Sequence, residues 1–192
     1  MKNYLKVIDA LRNRHLDEQA DKTTISHVPS GVGVSDYRFL IDYILTENPK
    51  CIVEYGSGYS TWLMSQLIID YNLDTILISH EGNKEYFYFI NNNLKIDRKI
   101  LHHTPLRITP EHTTEKYKAV RYLDIIENYP KVDLVITDGP GPSPLGDFNV
   151  TTNYLDIVNI QEGNRPYHWI DGRKTNKDFY IEKGFYDTIL HY

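Results

Sequence analysis

Hydrophobic and polar positions along the chain fall into blocks whose period switches from helical to strand-like and back. Residues 1–20 place Leu5, Ile8 and Leu11, with Val7 and Leu16, at loose helical spacing among many charges. This predicts an N-terminal surface helix. Residues 21–35 read as a loop, because Pro29, Gly31 and Gly33 stand among small polar residues. Ser35 or Asp36 then caps a helix running to about Glu47, with Phe39, Leu40, Tyr43, Ile44 and Leu45 on its buried side, and Asn48-Pro49 stops it. Beyond that point short apolar runs and amphipathic segments take turns. Strands are predicted at 51–53, 75–78, 99–103, 132–136 and 167–170, with a closing strand at 185–190. Helices are predicted at 61–70, 84–93, 115–128 and 152–160, with a short one at 177–183. Such alternation implies βαβ units joined by right-handed crossovers, with helices on both faces. The predicted class is α/β, with a Rossmann-like, doubly wound, mostly parallel sheet.

Composition narrows the function. At 192 residues, the chain has the length of one domain and can bury a core without disulfides. Its one cysteine, Cys51, excludes an intramolecular disulfide and disfavours a thiolate zinc site. A net charge of −5 argues against a broad grip on nucleic acid or an anionic membrane. No apolar run approaches the ~20 residues of a membrane span, and residues 1–15 lack the features of a signal peptide. The expectation is a soluble, cytoplasmic, single-domain protein. Within it, 1–35 supply an N-terminal helix and loop, 36–140 a cofactor-binding core, and 141–192 the substrate side and closing strands.

Open α/β sheets bind ligands at the carboxyl ends of their strands. The first such end reads Glu54-Tyr55-Gly56-Ser57-Gly58-Tyr59-Ser60-Thr61. Gly56 and Gly58 allow a tight turn and close approach of a ligand to the backbone. Ser60 and Thr61 can cap the following helix, and Glu54 is expected to point into the crevice. A dinucleotide fingerprint needs a third glycine where Thr61 stands, and a carboxylate at Glu54 suits a cationic amine better than a pyrophosphate. Glu81 ends the second strand, where a carboxylate accepts the hydroxyls of a ribose. A ligand with a ribose, an ammonium group and no phosphate is S-adenosylmethionine.

On these residues, together with Glu81-Gly82 and the strand ending Asp133-Leu134-Val135-Ile136-Thr137-Asp138-Gly139-Pro140, the chain resembles the class I S-adenosylmethionine-dependent methyltransferases. The Gly-x-Gly-x-Ser-Thr loop with a later Asp-Gly-Pro is similar to small bacterial and viral members that act on small molecules or sugars. The resemblance covers residues 36–140. It implies cofactor contacts from Glu54, Tyr55, Gly56, Ser57, Gly58, Ser60, Thr61, Glu81, Pro105, Leu106 and Asp138. It also implies methyl transfer to a small-molecule or sugar hydroxyl, with Asp138 as the catalytic residue. Asp138 could act as general base, hold the cofactor's amine, or ligate a divalent cation shared with Asp171. A salt bridge from Asp171 to Arg173 or Lys174 is the preferred reading of that residue, so no metal site is assigned. The adjacent His102 and His103 should point to opposite faces of their strand, and Tyr86-Phe87-Tyr88-Phe89 reads as a packing cluster.

Two departures from the family stand out. The Asp/Asn-Pro-Pro-aromatic ending of nucleobase methylases is absent. The C-terminal part is also too short for the family's seven-stranded sheet with its antiparallel last hairpin, which leaves an edge that a homodimer could cover. Two rival functions share the fold: a non-catalytic cofactor-binding module and an NAD-linked oxidoreductase.

Overall fold

Strand β1 (Cys51–Tyr55) is buried at every position, the signature of a strand in the middle of a parallel sheet covered on both faces. In a computed structural model, which describes residues 3–10, 13, 34–97, 99–108, 110, 113, 118–122, 130–139, 150–152, 166–170, 177–178, 181–182 and 189–190, β1 pairs in parallel with two neighbours. On one side lie β2 (Ile76–Glu81) and then β3 (Leu101–His103). On the other lie β6 (Leu134–Thr137), β8 (Tyr167–Ile170) and β9 (Ile189–Leu190). The order β3-β2-β1-β6-β8-β9 is a Rossmann-like parallel sheet. Its direction of growth reverses between β1 and β6. Register sets Tyr55 opposite both His80 and Thr137, and Glu81 opposite His103. The loops after β1, β2 and β6 therefore emerge at one level beside the switch point.

One face of this sheet is covered by helices. The helix at residues 4–10 (α1), α2 (Val34–Glu47), α3 (Tyr59–Asp70) and α4 (Lys84–Leu94) send Ile8, Leu40, Ile44, Leu63, Met64, Leu67, Ile90 and Leu94 into one core with Ile52, Leu77, Leu134, Ile136 and Trp169. These strand residues share a face because side chains alternate along each strand. The Tyr4 hydroxyl donates to Asp70 at 2.8 Å and pins α1 to the end of α3. Asn48, left-handed at φ 47°, ends α2 just before Pro49, and Asn83 caps α4 by accepting from the Glu85 and Tyr86 N–H groups.

The opposite face departs from expectation. Residues 118–122, predicted as part of a helix, form β5 (Lys118–Tyr122), which pairs with β4 (Leu106–Ile108) and β7 (Val150–Thr152) in a second, three-stranded sheet. The helical spacing of the apolar residues there is real, but Val120 and Tyr122 also alternate, and both are buried as strand residues. Tyr122 stacks on Tyr55 at 5.0 Å and Tyr55 on His80 at 5.8 Å, joining the two sheets. Thr152 likewise ends a strand rather than opening a helix. Helix α3 begins at Tyr59, two residues before the predicted start. The closing strand is β9, and its partner β8 runs parallel to it, unlike the antiparallel hairpin of the resembled family. Among the described residues no helix is long and apolar enough to cross a membrane.

Candidate functional site

The loop after β1 is built around one backbone contact. Gly56 has φ +90°, a conformation that side chains rarely adopt. A Cβ on it would lie 2.3 Å from the Gly139 nitrogen. The Tyr55 carbonyl accepts from the N–H groups of both Asp138 (2.9 Å) and Gly139 (2.6 Å), so the turns after β1 and β6 are bound to each other. Gly56 allows this close contact between the two turns. Gly58 differs, for its backbone is extended and a Cβ there would meet only the Tyr86 hydroxyl, at 3.6 Å.

The loop's amides are consumed inside the protein. Gly56 N–H donates to the His80 carbonyl (2.8 Å), Ser57 N–H to Glu81 Oε2 (3.3 Å) and Gly58 N–H to Thr61 Oγ1 (2.8 Å). A phosphate-binding loop needs such groups aimed at the ligand.

Glu54 does not point into the crevice. It is fully buried, on the helix-covered face, and accepts from Ser60 Oγ, Thr61 Oγ1 and Ser79 Oγ, each at 2.5 Å. The chain Gly58 N–H to Thr61 to Glu54 fastens the loop to the first turn of α3 and to β2. Ser60 and Thr61 thus prop the loop from the first turn of α3, where Thr61 also accepts from the N–H of the N-cap residue Gly58, the capping role expected of it. Tyr55 contributes only backbone, since its ring lies on the opposite face. Burial pushes the Glu54 carboxyl up to about 7, against the pull of its three hydroxyl donors.

Glu81 does reach the loop. Its Oε1 accepts from Asn83 N–H at 2.7 Å and its Oε2 from the Ser57 hydroxyl at 3.2 Å. Burial raises its carboxyl to about 7, with the charge of Glu54 a lesser cause. Leu106 covers Gly82, where a Cβ would lie 2.7 Å from its side chain, while Pro105 is exposed. Asp138 is half-buried at the end of β6. The structure therefore brings together Gly56, Ser57, Gly58, Glu81, Leu106 and Asp138. Asp171, the loop at 21–33 and residues 140–149 lie outside the described residues. His102 packs on His80 and His103 on Phe87, on opposite faces as expected.

One residue of this site escaped the sequence reading. Tyr86, on the first turn of α4, packs against the core and stacks on Phe89 as expected of the cluster, but its hydroxyl reaches Gly58 and is subject to the charges of Glu81 and Asp138. The signal was its position, five residues after the acidic end of β2, where the first helical turn overhangs the crevice.

Titration of the buried groups has opposing effects on stability. Glu54 and Glu81 release protons near 4.5 when unfolded and near 7 when folded. Their contribution is complete below 4.5 and is lost as pH rises through 7, by about 3 kcal/mol each. His80 and His168, pushed down by burial to about 3, contribute stability above 6.5 that is lost as pH falls toward 3. Replacing Glu81 by Gln removes one carboxylate from this balance. Relative to wild type, Glu81→Gln should gain about 3 kcal/mol between pH 4.5 and pH 8, read by urea denaturation at both values. A difference independent of pH would show that Glu81 ionises normally in the folded protein.

The fold and these strand ends define a Rossmann-like α/β protein with its candidate site at the sheet's switch point. No protein-family model and no curated protein matches the chain.

Proposed function

We propose that the chain binds S-adenosylmethionine across the carboxyl ends of β1, β2 and β6 and uses it to methylate a hydroxyl of a small molecule or sugar. The observation that carries this reading is the closed set of loop amides. With the N–H groups of Gly56, Ser57 and Gly58 all bonded internally, and with carboxylates at Glu81 and Asp138, the site suits a cationic ligand without phosphate. Glu81 offers the remaining lone pairs of its carboxylate to a ribose diol, beside the Asn83 N–H that orients it. Leu106, lying over Gly82, offers an apolar surface next to it for a base. S-adenosylmethionine supplies an electrophilic methyl group, so the residues contribute mainly position and charge. Asp138 takes the proton of the acceptor hydroxyl.

The parallel β9 completes the strand order of dinucleotide-binding proteins and favours NAD as a second reading. Titration calorimetry with S-adenosylmethionine and NAD separates the two. S-adenosylmethionine should bind and NAD should not, and Glu81→Ala should weaken S-adenosylmethionine by roughly 30- to 1000-fold through loss of two charge-assisted hydrogen bonds. A loss below about threefold would remove Glu81 from the site.

A further inference from the structure

The three-stranded sheet meets the main sheet at two glycine notches. Leu106 and Tyr122 are register partners in the antiparallel pair β4–β5, so their side chains leave the small sheet side by side. Each fills the space that a glycine leaves. A Cβ on Gly82 would lie 2.7, 2.8 and 3.2 Å from Cγ, Cδ1 and Cδ2 of Leu106. A Cβ on Gly139 would lie 2.6 Å from the Tyr122 oxygen. Gly82 follows Glu81 at the end of β2, and Gly139 follows Asp138 just past β6, so one cross-strand pair rests on the two turns that flank β1. The Tyr122 ring lies on Tyr55 of β1 at 5.0 Å and beside His80 of β2 at 6.0 Å. Tyr122 is fully buried, and a close-packed interior passes a displacement on rather than absorbing it.

We propose that the Leu106–Tyr122 pair is a spacer that sets the Glu81 turn against the Asp138 turn, and that Tyr122 is thereby a positioning residue for Asp138 in methyl transfer. The second half rests on the S-adenosylmethionine reading. The N–H bonds of Asp138 and Gly139 to the Tyr55 carbonyl tie the turn to β1, and Tyr122 closes it from the side of the small sheet. A general base must stand within hydrogen-bond reach of the proton it takes. A misplacement of about 1 Å can cost about 100-fold in rate. Tyr122 acts on Asp138 through the Gly139 turn, and Leu106 does the same for Glu81 through Gly82.

Hydrogen exchange of the Asp138 and Gly139 N–H groups in the full chain reads this turn directly and needs no ligand. Gly82→Ala displaces the spacer from its other end, because the atoms nearest the new methyl all belong to the Leu106 side chain. Exchange at 138 and 139 should quicken about tenfold, on the far side of β1 from the substitution, while amides in the middle of β1 keep wild-type rates. Adding Leu106→Ala removes the clash and should bring both amides back to within about threefold of wild type. Unchanged exchange at 138 and 139 in Gly82→Ala, an equal acceleration throughout the sheet, or one that Leu106→Ala does not reverse would overturn the spacer. If Gly82→Ala does not fold, Tyr122→Phe takes its place and should quicken the same two amides, since it keeps the ring on Tyr55 and takes the oxygen from Gly139. Tyr122→Phe should also form S-adenosylhomocysteine about tenfold more slowly with a sugar acceptor, with calorimetric affinity for S-adenosylmethionine within about twofold of wild type. Wild-type turnover in that variant would remove Tyr122 from the transfer step. Wild-type protein that binds no S-adenosylmethionine would refute that reading and the positioning role with it, while the exchange rates alone decide the spacer.

Discussion

Gly56→Val should unfold most of the protein, whereas Gly58→Ala, two residues along the same loop, should cost less than about 1 kcal/mol. The difference lies in what each missing side chain leaves room for. At Gly56 a Cβ would stand 2.3 Å from the Gly139 nitrogen, 2.6 Å from its Cα and 2.8 Å from the Asp138 carbonyl carbon. These are backbone atoms held by two hydrogen bonds to Tyr55, so they cannot swing aside. The positive φ adds strain for a β-branched residue. Together these penalties should exceed about 4 kcal/mol, a large share of the 5–15 kcal/mol by which domains are stable. At Gly58 the backbone is extended, and the nearest atom is the end of a tyrosine side chain at ordinary contact distance. Thermal and urea denaturation of the two variants measure the contrast. A Gly56→Val protein that melts with wild type would mean that the turns after β1 and β6 are not packed against each other.

Those two glycines look alike in the sequence, and this marks the limit of what the sequence discloses. Strand ends were legible because parallel strands are short apolar runs bounded by breakers, and Cys51–Val53 and Val132–Ile136 have that form. Four of the helices were legible in part through their apolar spacing and the stops at Asn48-Pro49 and Asn83. The residue before a glycine turn is a harder case. Glu54 is one position from Tyr55, and alternation sends the two to opposite faces, but the chain does not say which face is the open one. The hydroxyls that surround Glu54 come from two other elements, Ser60 and Thr61 from α3 and Ser79 from β2, so the trap closes only in the fold. The same holds for 118–122, where the alternation of Val120 and Tyr122 is too short a run to outweigh the helical spacing of the wider segment, and the pairing with β4 and β7 decides. Tyr86 was hidden by its neighbours, since its ring packs like those of Phe87 and Phe89 and only its hydroxyl reaches the loop after β1.

Asp138→Asn should lower methyl transfer by about 10²–10⁴ while leaving S-adenosylmethionine affinity within about threefold of wild type. The Asp138 backbone is fixed beside the end of β1 by its N–H bond to Tyr55, and its side chain is half-buried, so it keeps an approach for the acceptor. Glu81, by contrast, is buried and tied to the loop, which suits the holding of a cofactor rather than proton traffic. An amide at 138 matches the carboxylate in size but takes no proton, so the acceptor oxygen would attack without losing its hydrogen. The readout is S-adenosylhomocysteine formed with a hydroxylated acceptor that supports wild-type turnover, set against calorimetric affinity of the same variant. Loss of affinity before loss of turnover would instead assign Asp138 to the cofactor's amine. Inhibition of the wild type by chelators, reproduced by Asp171→Asn, would assign it to a cation shared between the two carboxylates. Retained turnover in Asp138→Asn would return the residue to the Gly139 turn, whose backbone bonds to Tyr55 stand without its charge.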